Sequence, residues 1–148
     1  MKKAVFFCLV AAAFAACSKD KFETVPQVKI TSFGPDEVVI GQRFELTAEI
    51  TDKEGDLQDT FYLVRKRSYN TIVNVDTTTY SLISLGFPAK DRIELRLTFA
   101  YGRSNDPGTI PYFPQEPRDT QLQYGIIIRD KAKNKSIYVE SKKILLKK

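Results

Sequence analysis

The chain of 148 residues contains no histidine, no tryptophan and only two cysteines, Cys8 and Cys17. Without histidine, catalytic triads with an imidazole base and zinc sites with histidine ligands are excluded. Without tryptophan, a sugar-binding surface would have to stack its ligand on tyrosine or phenylalanine. Long apolar runs are also missing, because the uncharged segment 4–16 is shorter than the roughly 20 residues of a membrane-spanning helix. These absences exclude histidine-based catalysis and argue against a permanent membrane-spanning helix, whereas carboxylate-based chemistry stays open.

The first 16 residues have the organisation of a secretory signal peptide: two lysines, an apolar run and small residues at its end. Phe-Ala-Ala at positions 14–16 precedes Cys17. This arrangement resembles a bacterial lipobox, in which the cysteine sulfur is joined to diacylglycerol and the chain is cut just before it. Phe14 stands where the family usually has leucine. The resemblance predicts a lipid anchor at Cys17, whereas ordinary cleavage at an Ala-x-Ala site such as 13–15 would leave a free thiol.

Cleavage before Cys17 divides the chain into a signal peptide (1–16), a lipidated N-terminus and tether (17–26) and a body (27–148). The lipobox implies an outer-membrane lipoprotein of the cell envelope, facing either the surface or the periplasm. The remaining cysteine carries the lipid, so no disulfide is expected. Loss of two lysines lowers the formal charge from +5 to +3, with 21 basic and 18 acidic residues. Both signs are interspersed along the chain, so a nucleic-acid partner is not expected.

Apolar and polar residues alternate with a period of two in the body, as in strands with one buried face. The pattern is strongest in residues 44–51, 93–100 and 122–128. Weaker strands are predicted at 28–33, 60–68, 71–75, 80–85 and 137–146. Turn signals such as Gly34-Pro35-Asp36 separate the runs, and no window favours an amphipathic helix. This spacing predicts an all-β protein with an antiparallel sandwich of seven or eight strands.

Two stretches carry a further resemblance. Residues 130–136, with Asp130, Asn134 and Ser136, resemble the last hairpin of bacterial immunoglobulin-like domains, which usually have glycine at the position of Lys133. Residues 50–57 (ITDKEGDL) resemble the Asp-rich turn after the second strand in small Bacteroidota-type lipoproteins. The resemblance implies a single immunoglobulin-like antiparallel β-sandwich of about seven or eight strands behind a lipid anchor. It implies no chemistry.

The densest acidic cluster is Asp52, Glu54, Asp56 and Asp59. Carboxylates at every second position around a glycine can converge on Ca²⁺, a hard ion that takes six to eight oxygen ligands. The alternative is a solvated turn between two strands, in which Gly55 adopts a positive φ. The cluster therefore predicts either a Ca²⁺ site or a turn, and no other cofactor is expected.

Residues 101–120 form the longest irregular stretch and hold four of the seven prolines. Tyr101, Tyr112 and Phe113 lie within it. Long loops without regular structure are uncommon in compact domains and are often functional. These three rings are predicted to contact a partner or a glycan, or else to fold back over the end of the sandwich.

The leading functional hypothesis is a membrane-anchored, non-catalytic module of the bacterial envelope that serves in binding, adhesion or assembly. Its partners would be the membrane, through the lipid, and an unidentified protein or glycan. One alternative is a glycan-binding surface lipoprotein. Another is a carboxylate-based hydrolase, since some of the 18 acidic residues must lie within pairing distance.

Overall fold

The structure, a computed structural model, describes residues 23–102 and 113–148, and every regular element within them is a β-strand. The described residues contain no helix that could cross a membrane. The predicted signal peptide, Cys17 and Tyr112 lie outside them. In chain order the strands are β1 (Gln27–Gly34), β2 (Glu37–Val38), β3 (Arg43–Thr51), β4 (Thr60–Tyr69), β5 (Ile72–Ser81), β6 (Arg92–Ala100), β7 (Thr120–Arg129), β8 (Val139–Glu140) and β9 (Ile144–Leu146).

These strands form two sheets. The smaller has the order β1-β3-β6, and the larger has the order β2-β9-β7-β4-β5, with β8 also paired to β7. The predicted all-β class is confirmed, and the two sheets are arranged as a sandwich. The prediction of purely antiparallel pairing is wrong, because β2 runs parallel to β9 and an isolated parallel bridge joins Tyr101 to Phe113.

The core lies between the two sheets and uses the alternate residues that the sequence pattern identified. Phe44 of β3 stacks on Phe99 of β6 with 4.9 Å between ring centroids, and Phe99 stacks on Tyr124 of β7, also at 4.9 Å. The rings thus connect the two sheets. Buried aliphatic residues surround them: Leu46, Ala48, Ile50, Leu63, Leu95, Leu97, Ile126 and Ile128.

The strand count differs from the predicted seven or eight, since residues 23–102 and 113–148 contain nine strands. Segments 71–75 and 80–85 were predicted as two strands, but one continuous strand, β5, covers residues 72–81, and residues 82–85 form the turn that follows it. The polar residues 76–79 interrupt the apolar pattern, so the sequence did not indicate one continuous strand. An edge strand that is exposed on both faces needs no alternation of apolar and polar residues. Segment 137–146 was predicted as one strand but contains two, β8 and β9, and the two-residue strand β2 was missed.

The two ends of the sandwich differ in the segments that they bring together. At the entry end, Gln27 of β1 lies opposite Thr51 of β3, and the Lys53 N–H donates to the Glu23 carbonyl oxygen at 3.1 Å. The connection 52–59 and the turn 130–136 meet there. At the opposite, far end lie the β4–β5 turn and Tyr101, which follows β6. The chain therefore arrives from its N-terminal segment at the entry end.

Candidate functional site

Three carboxylates converge at the entry end. Asp52 directly follows β3, Asp130 directly follows β7, and Asp56 comes from the connection between β3 and β4. One carboxylate oxygen from each lies within 4.8 Å of the other two. Asp52 and Asp130 have relative exposures of only 0% and 1%. Since β3 and β7 belong to different sheets, the sandwich itself brings these acids together.

Local hydrogen bonds hold the cluster in place. The Asp56 N–H donates to Oδ2 of Asp52 at 3.3 Å, and the Lys131 N–H donates to the Asp56 carbonyl oxygen at 3.1 Å. The carboxylate of Asp130 accepts from both the backbone N–H and Nδ2 of Asn134, each at 2.8 Å. Gly55 has the positive φ expected from the sequence, +67°. A Cβ there would also lie 3.2 Å from the Asp91 nitrogen, so the turn requires glycine on both counts.

The charge of this cluster is poorly compensated. Burial, with a smaller contribution from hydrogen bonding to Asp56, raises the pKa of Asp52 to about 6. Oδ1 of Asp52 and Oδ1 of Asp56 are buried and have no hydrogen-bond partner. Among residues 23–102 and 113–148, no lysine or arginine forms an ion pair with the three carboxylates. Buried carboxylate charges without a compensating cation are costly, so the arrangement suits a bound proton or a metal ion.

Two of the four predicted cluster members lie elsewhere. Glu54 is exposed, and Asp59 accepts hydrogen bonds from Arg129 Nε at 2.8 Å and Lys133 Nζ at 3.0 Å. Burial raises the pKa of Asp59, but these hydrogen bonds outweigh it and hold the pKa below its usual value. Asp130 was not predicted as a member, because 73 intervening residues separate it from Asp56. The only feature of the sequence that drew attention to Asp130 was its position in the turn motif 130–136.

The aromatic residues predicted to contact a partner are buried where they are described. Tyr101 and Phe113 have no exposed surface, and their rings pack edge to face at 6.1 Å. A ring without exposed surface cannot stack on a sugar, so the predicted contact role of these two residues is corrected to a packing role. Both rings therefore pack over the end of the sandwich, which was the alternative prediction for this stretch.

Strand β5 is the edge of the larger sheet and pairs only with β4 among the described residues. It has ten residues in continuous register with β4. Ile72, Val73 and Val75 near its start have relative exposures of 58%, 59% and 56%. Its one charged residue, Asp76, is held by Arg65 and Arg67, at 3.0 Å from each. The edge therefore offers free backbone groups beside apolar side chains.

Three tyrosine rings at the surface each contact a cation, whereas the partly buried ring of Tyr80 stacks on Phe61. Arg118 lies 4.2 Å from the centroid of Tyr69, Lys66 lies 5.2 Å from that of Tyr138, and Lys135 lies 5.8 Å from that of Tyr62. Such contacts stabilise the rings on the protein surface. They also occupy surface on which a sugar ring would have to stack.

Comparisons with known proteins give no family. No family model matches the chain, and no curated protein matches it. The chain resembles the solved structure of the sporulation control protein Spo0M from Bacillus subtilis, with a TM-score of 0.45, 9% identity and coverage of 84% of this chain and 50% of that one.

Two further solved structures are similar at a lower level. A beta-glucosidase from Listeria innocua in complex with gluconolactone gives a TM-score of 0.39 and 10% identity, over 83% of this chain and 16% of that one. The alkylpurine DNA glycosylase AlkC of Pseudomonas fluorescens, bound to DNA with an abasic site analog, gives a TM-score of 0.37 and 8% identity. This match covers 82% of this chain and 31% of the glycosylase. This chain thus spans half or less of each of the three proteins, and these likenesses assign no function.

Proposed function

We propose that this chain is a non-catalytic binding module of the bacterial cell envelope, anchored through a lipid on Cys17. The observation that carries the binding role is the open, apolar edge strand β5. The proposed partner is an extended segment of another envelope protein, which adds to the sheet as a further strand. In such binding, backbone hydrogen bonds provide affinity and alternate side chains provide specificity.

The sandwich of this module is proposed to be immunoglobulin-like. In that fold one sheet contains strands A, B, E and D, and the other contains strands C, F and G, with additional C′ and C″ strands in variable-type domains. The order β1-β3-β6 matches A-B-E, and the order β9-β7-β4-β5 matches G-F-C-C′. This agreement of strand order supports the immunoglobulin-like assignment.

Comparison of the sheet edges supports β5 as the binding edge. Natural proteins protect their edges with charges, bulges or short strands. β1 contains Lys29 and a register shift between Ile30 and Ser32, and β2 has only two residues. β6 exposes Arg92, Glu94 and Arg96 along its length. Within the described residues, β5 alone combines full length, regular pairing and exposed apolar side chains.

The position of β5 suits a module held by its N-terminal segment. Cys17 precedes Glu23 by six residues, so the lipid would lie within about 20 Å of the entry end. The apolar half of β5 begins at Ile72, immediately after the β4–β5 turn at the far end. An anchored domain would therefore present this half of the strand away from the bilayer, where a partner can approach it.

The test is site-specific photocrosslinking in intact cells. A photoreactive residue replaces Val75 on β5 in one strain and Glu94 on the charged edge β6 in the matched control strain. Val75 lies opposite Lys66 of β4, and its side chain is exposed, so the probe does not disturb the core. The expected result is one discrete crosslinked protein from position 75, none from position 94, and loss of the adduct when Val73→Lys is added.

The outcomes separate the possible partners of β5. A crosslink between two copies of this chain would show that β5 mediates self-association and would contradict the proposed envelope partner. Absence of any adduct at position 75, or equal adducts at 75 and 94, would overturn the proposal. The glycan-binding alternative has less support, because Tyr101 and Phe113 are buried.

A further inference from the structure

We infer that Asp52, Asp56 and Asp130 form a binding site for a hard divalent cation, with Ca²⁺ as the ion that fits best. This site is independent of the β5 edge. It differs from the cluster expected from the sequence, since Asp130 replaces Glu54 and Asp59. The ligand set therefore joins two strand ends and one connection instead of a single loop.

The unpartnered oxygen of Asp52 is the observation that points to a ligand. Its Oδ2 accepts the Asp56 N–H, whereas its Oδ1 is fully buried and accepts nothing. Oδ1 of Asp56 is in the same state. Buried polar atoms in folded proteins nearly always have a hydrogen-bond or metal partner. Two unpartnered oxygens within one cluster of three carboxylates therefore indicate a ligand that both oxygens share. A cation between the carboxylates satisfies both oxygens at once.

The donor set selects the class of ion. All three side chains offer carboxylate oxygen, the ligand that Ca²⁺ and Mg²⁺ prefer. The chain has no histidine, so the imidazole ligands of many zinc sites are absent. Ca²⁺ accepts variable geometry at 2.3–2.6 Å and completes its shell with carbonyl groups and water, whereas Mg²⁺ demands an almost ideal octahedron. Ligands from three separate segments fit the more tolerant ion.

A cation here would tie together the segments that meet at the entry end. Asp52 extends from the smaller sheet and Asp130 from the larger. The segments that carry these acids also contact the incoming chain. The Lys53 N–H donates to the Glu23 carbonyl oxygen, and Asn134 Nδ2 donates to the Thr24 carbonyl oxygen at 3.5 Å. Ion binding is therefore expected to stabilise the folded sandwich and to fix the point at which the tether joins it.

The experiment measures thermal unfolding of the full-length protein in detergent at neutral pH. Melting temperatures are compared in about 5 mM CaCl₂ and in EDTA, at constant ionic strength. The variants are Asp52→Asn and Asp56→Asn, which keep the shape of the side chain but remove its charge. Glu54→Gln is the matched control, because it removes an exposed carboxylate from the same connection. Calorimetric titration of the wild type with CaCl₂ measures binding directly.

For a site with a dissociation constant near 0.1 mM, Ca²⁺ is expected to raise the wild-type melting temperature by about 5 °C or more. Glu54→Gln should keep this increase, and both aspartate variants should lose most of it. The proposal is overturned if the wild type shows neither a calorimetric signal nor a shift. It is equally overturned if Asp52→Asn and Asp56→Asn respond as strongly as the wild type. In that case a proton held between the carboxylates accounts for the cluster.

Discussion

The phenol oxygen of Tyr101 accepts a hydrogen bond from the backbone N–H of Glu116 at 3.1 Å. Both residues are buried, and burial raises the pKa of the Tyr101 hydroxyl. Tyr101 follows β6 directly, while Glu116 lies four residues before β7. The bond therefore joins the residue that follows β6 to the segment that precedes β7, and it gives Tyr101 a structural role at the far end.

Replacing Tyr101 with phenylalanine is expected to lower the free energy of unfolding by about 1–3 kcal/mol, because the Glu116 N–H loses its buried acceptor. Chemical denaturation of the two proteins measures the difference. Tyr138→Phe is the matched control: its hydroxyl donates to Glu140 at 2.8 Å, but the side chain is exposed, so the change should stay within about 0.5 kcal/mol. Equal effects of the two substitutions would show that the hydrogen bond of Tyr101 stabilises the fold no more than the exposed one of Tyr138.

The raised pKa of Asp52 predicts an unusual pH dependence in EDTA. Its value in the folded state is about 6, against an ordinary value of 3.8. Between these values the folded chain binds more protons than the unfolded chain, so the free energy of unfolding falls as the pH rises. From about pH 4.5 to 7.5 this contribution is on the order of 2 kcal/mol.

Asp52→Asn removes this titration, so the comparison isolates it from the other acids. The stability of the wild type relative to Asp52→Asn is expected to decrease over the same pH range in urea denaturation experiments. The lowered pKa values of Asp59, Asp76 and Asp119 act in the opposite direction but are shared by both proteins. A difference that stays constant with pH would contradict the raised pKa.

The ion pairs of Asp59 predict a different behaviour for that residue. Asp59→Asn should lower the free energy of unfolding by about 1 kcal/mol at neutral pH, because Arg129 and Lys133 lose their charged partner. The pKa of Asp59 lies below its ordinary value, so its contribution is present above about pH 4 and is lost as the pH falls further. Thermal unfolding in CaCl₂ and EDTA supplies the second measurement. If Asp59→Asn abolishes the response to Ca²⁺, Asp59 is a ligand after all.

The sequence predicted strands well where one face of a strand is buried. In β3 and β6, alternation follows directly from a sheet with one face in the core, so the predicted bounds agree with the structure to within one residue. Strand β5 offers no such pattern, since it lies at an edge and is held by pairing with β4. The break between β8 and β9 was also missed, because both short strands pair with β7 and no turn signal separates them.

The site was predicted only in part, for a similar reason. Asp52 and Asp56 are close in sequence, so their proximity was visible in the composition of one connection. Asp130 joins them only because β3 and β7 end at the same end of the sandwich, which a single sequence does not reveal. Tyr101 and Phe113 were placed in an irregular loop by its prolines, although their side chains belong to the core.

The last prediction concerns the proposed lipid anchor on Cys17, a residue outside the described part of the chain. Cys17→Ser should move the protein from the membrane fraction to the soluble fraction, because the proposed anchor would depend on acyl chains attached to that residue. Metabolic labelling with a palmitate analogue should mark the wild type and the control Cys8→Ser, but not Cys17→Ser. Protease treatment of intact cells then locates the β5 edge: digestion of the wild-type protein places it at the surface, and protection until lysis places it in the periplasm. Retention of unlabelled Cys17→Ser in the membrane would exclude Cys17 as the anchor and would remove the basis for presenting β5 at a fixed distance from the bilayer.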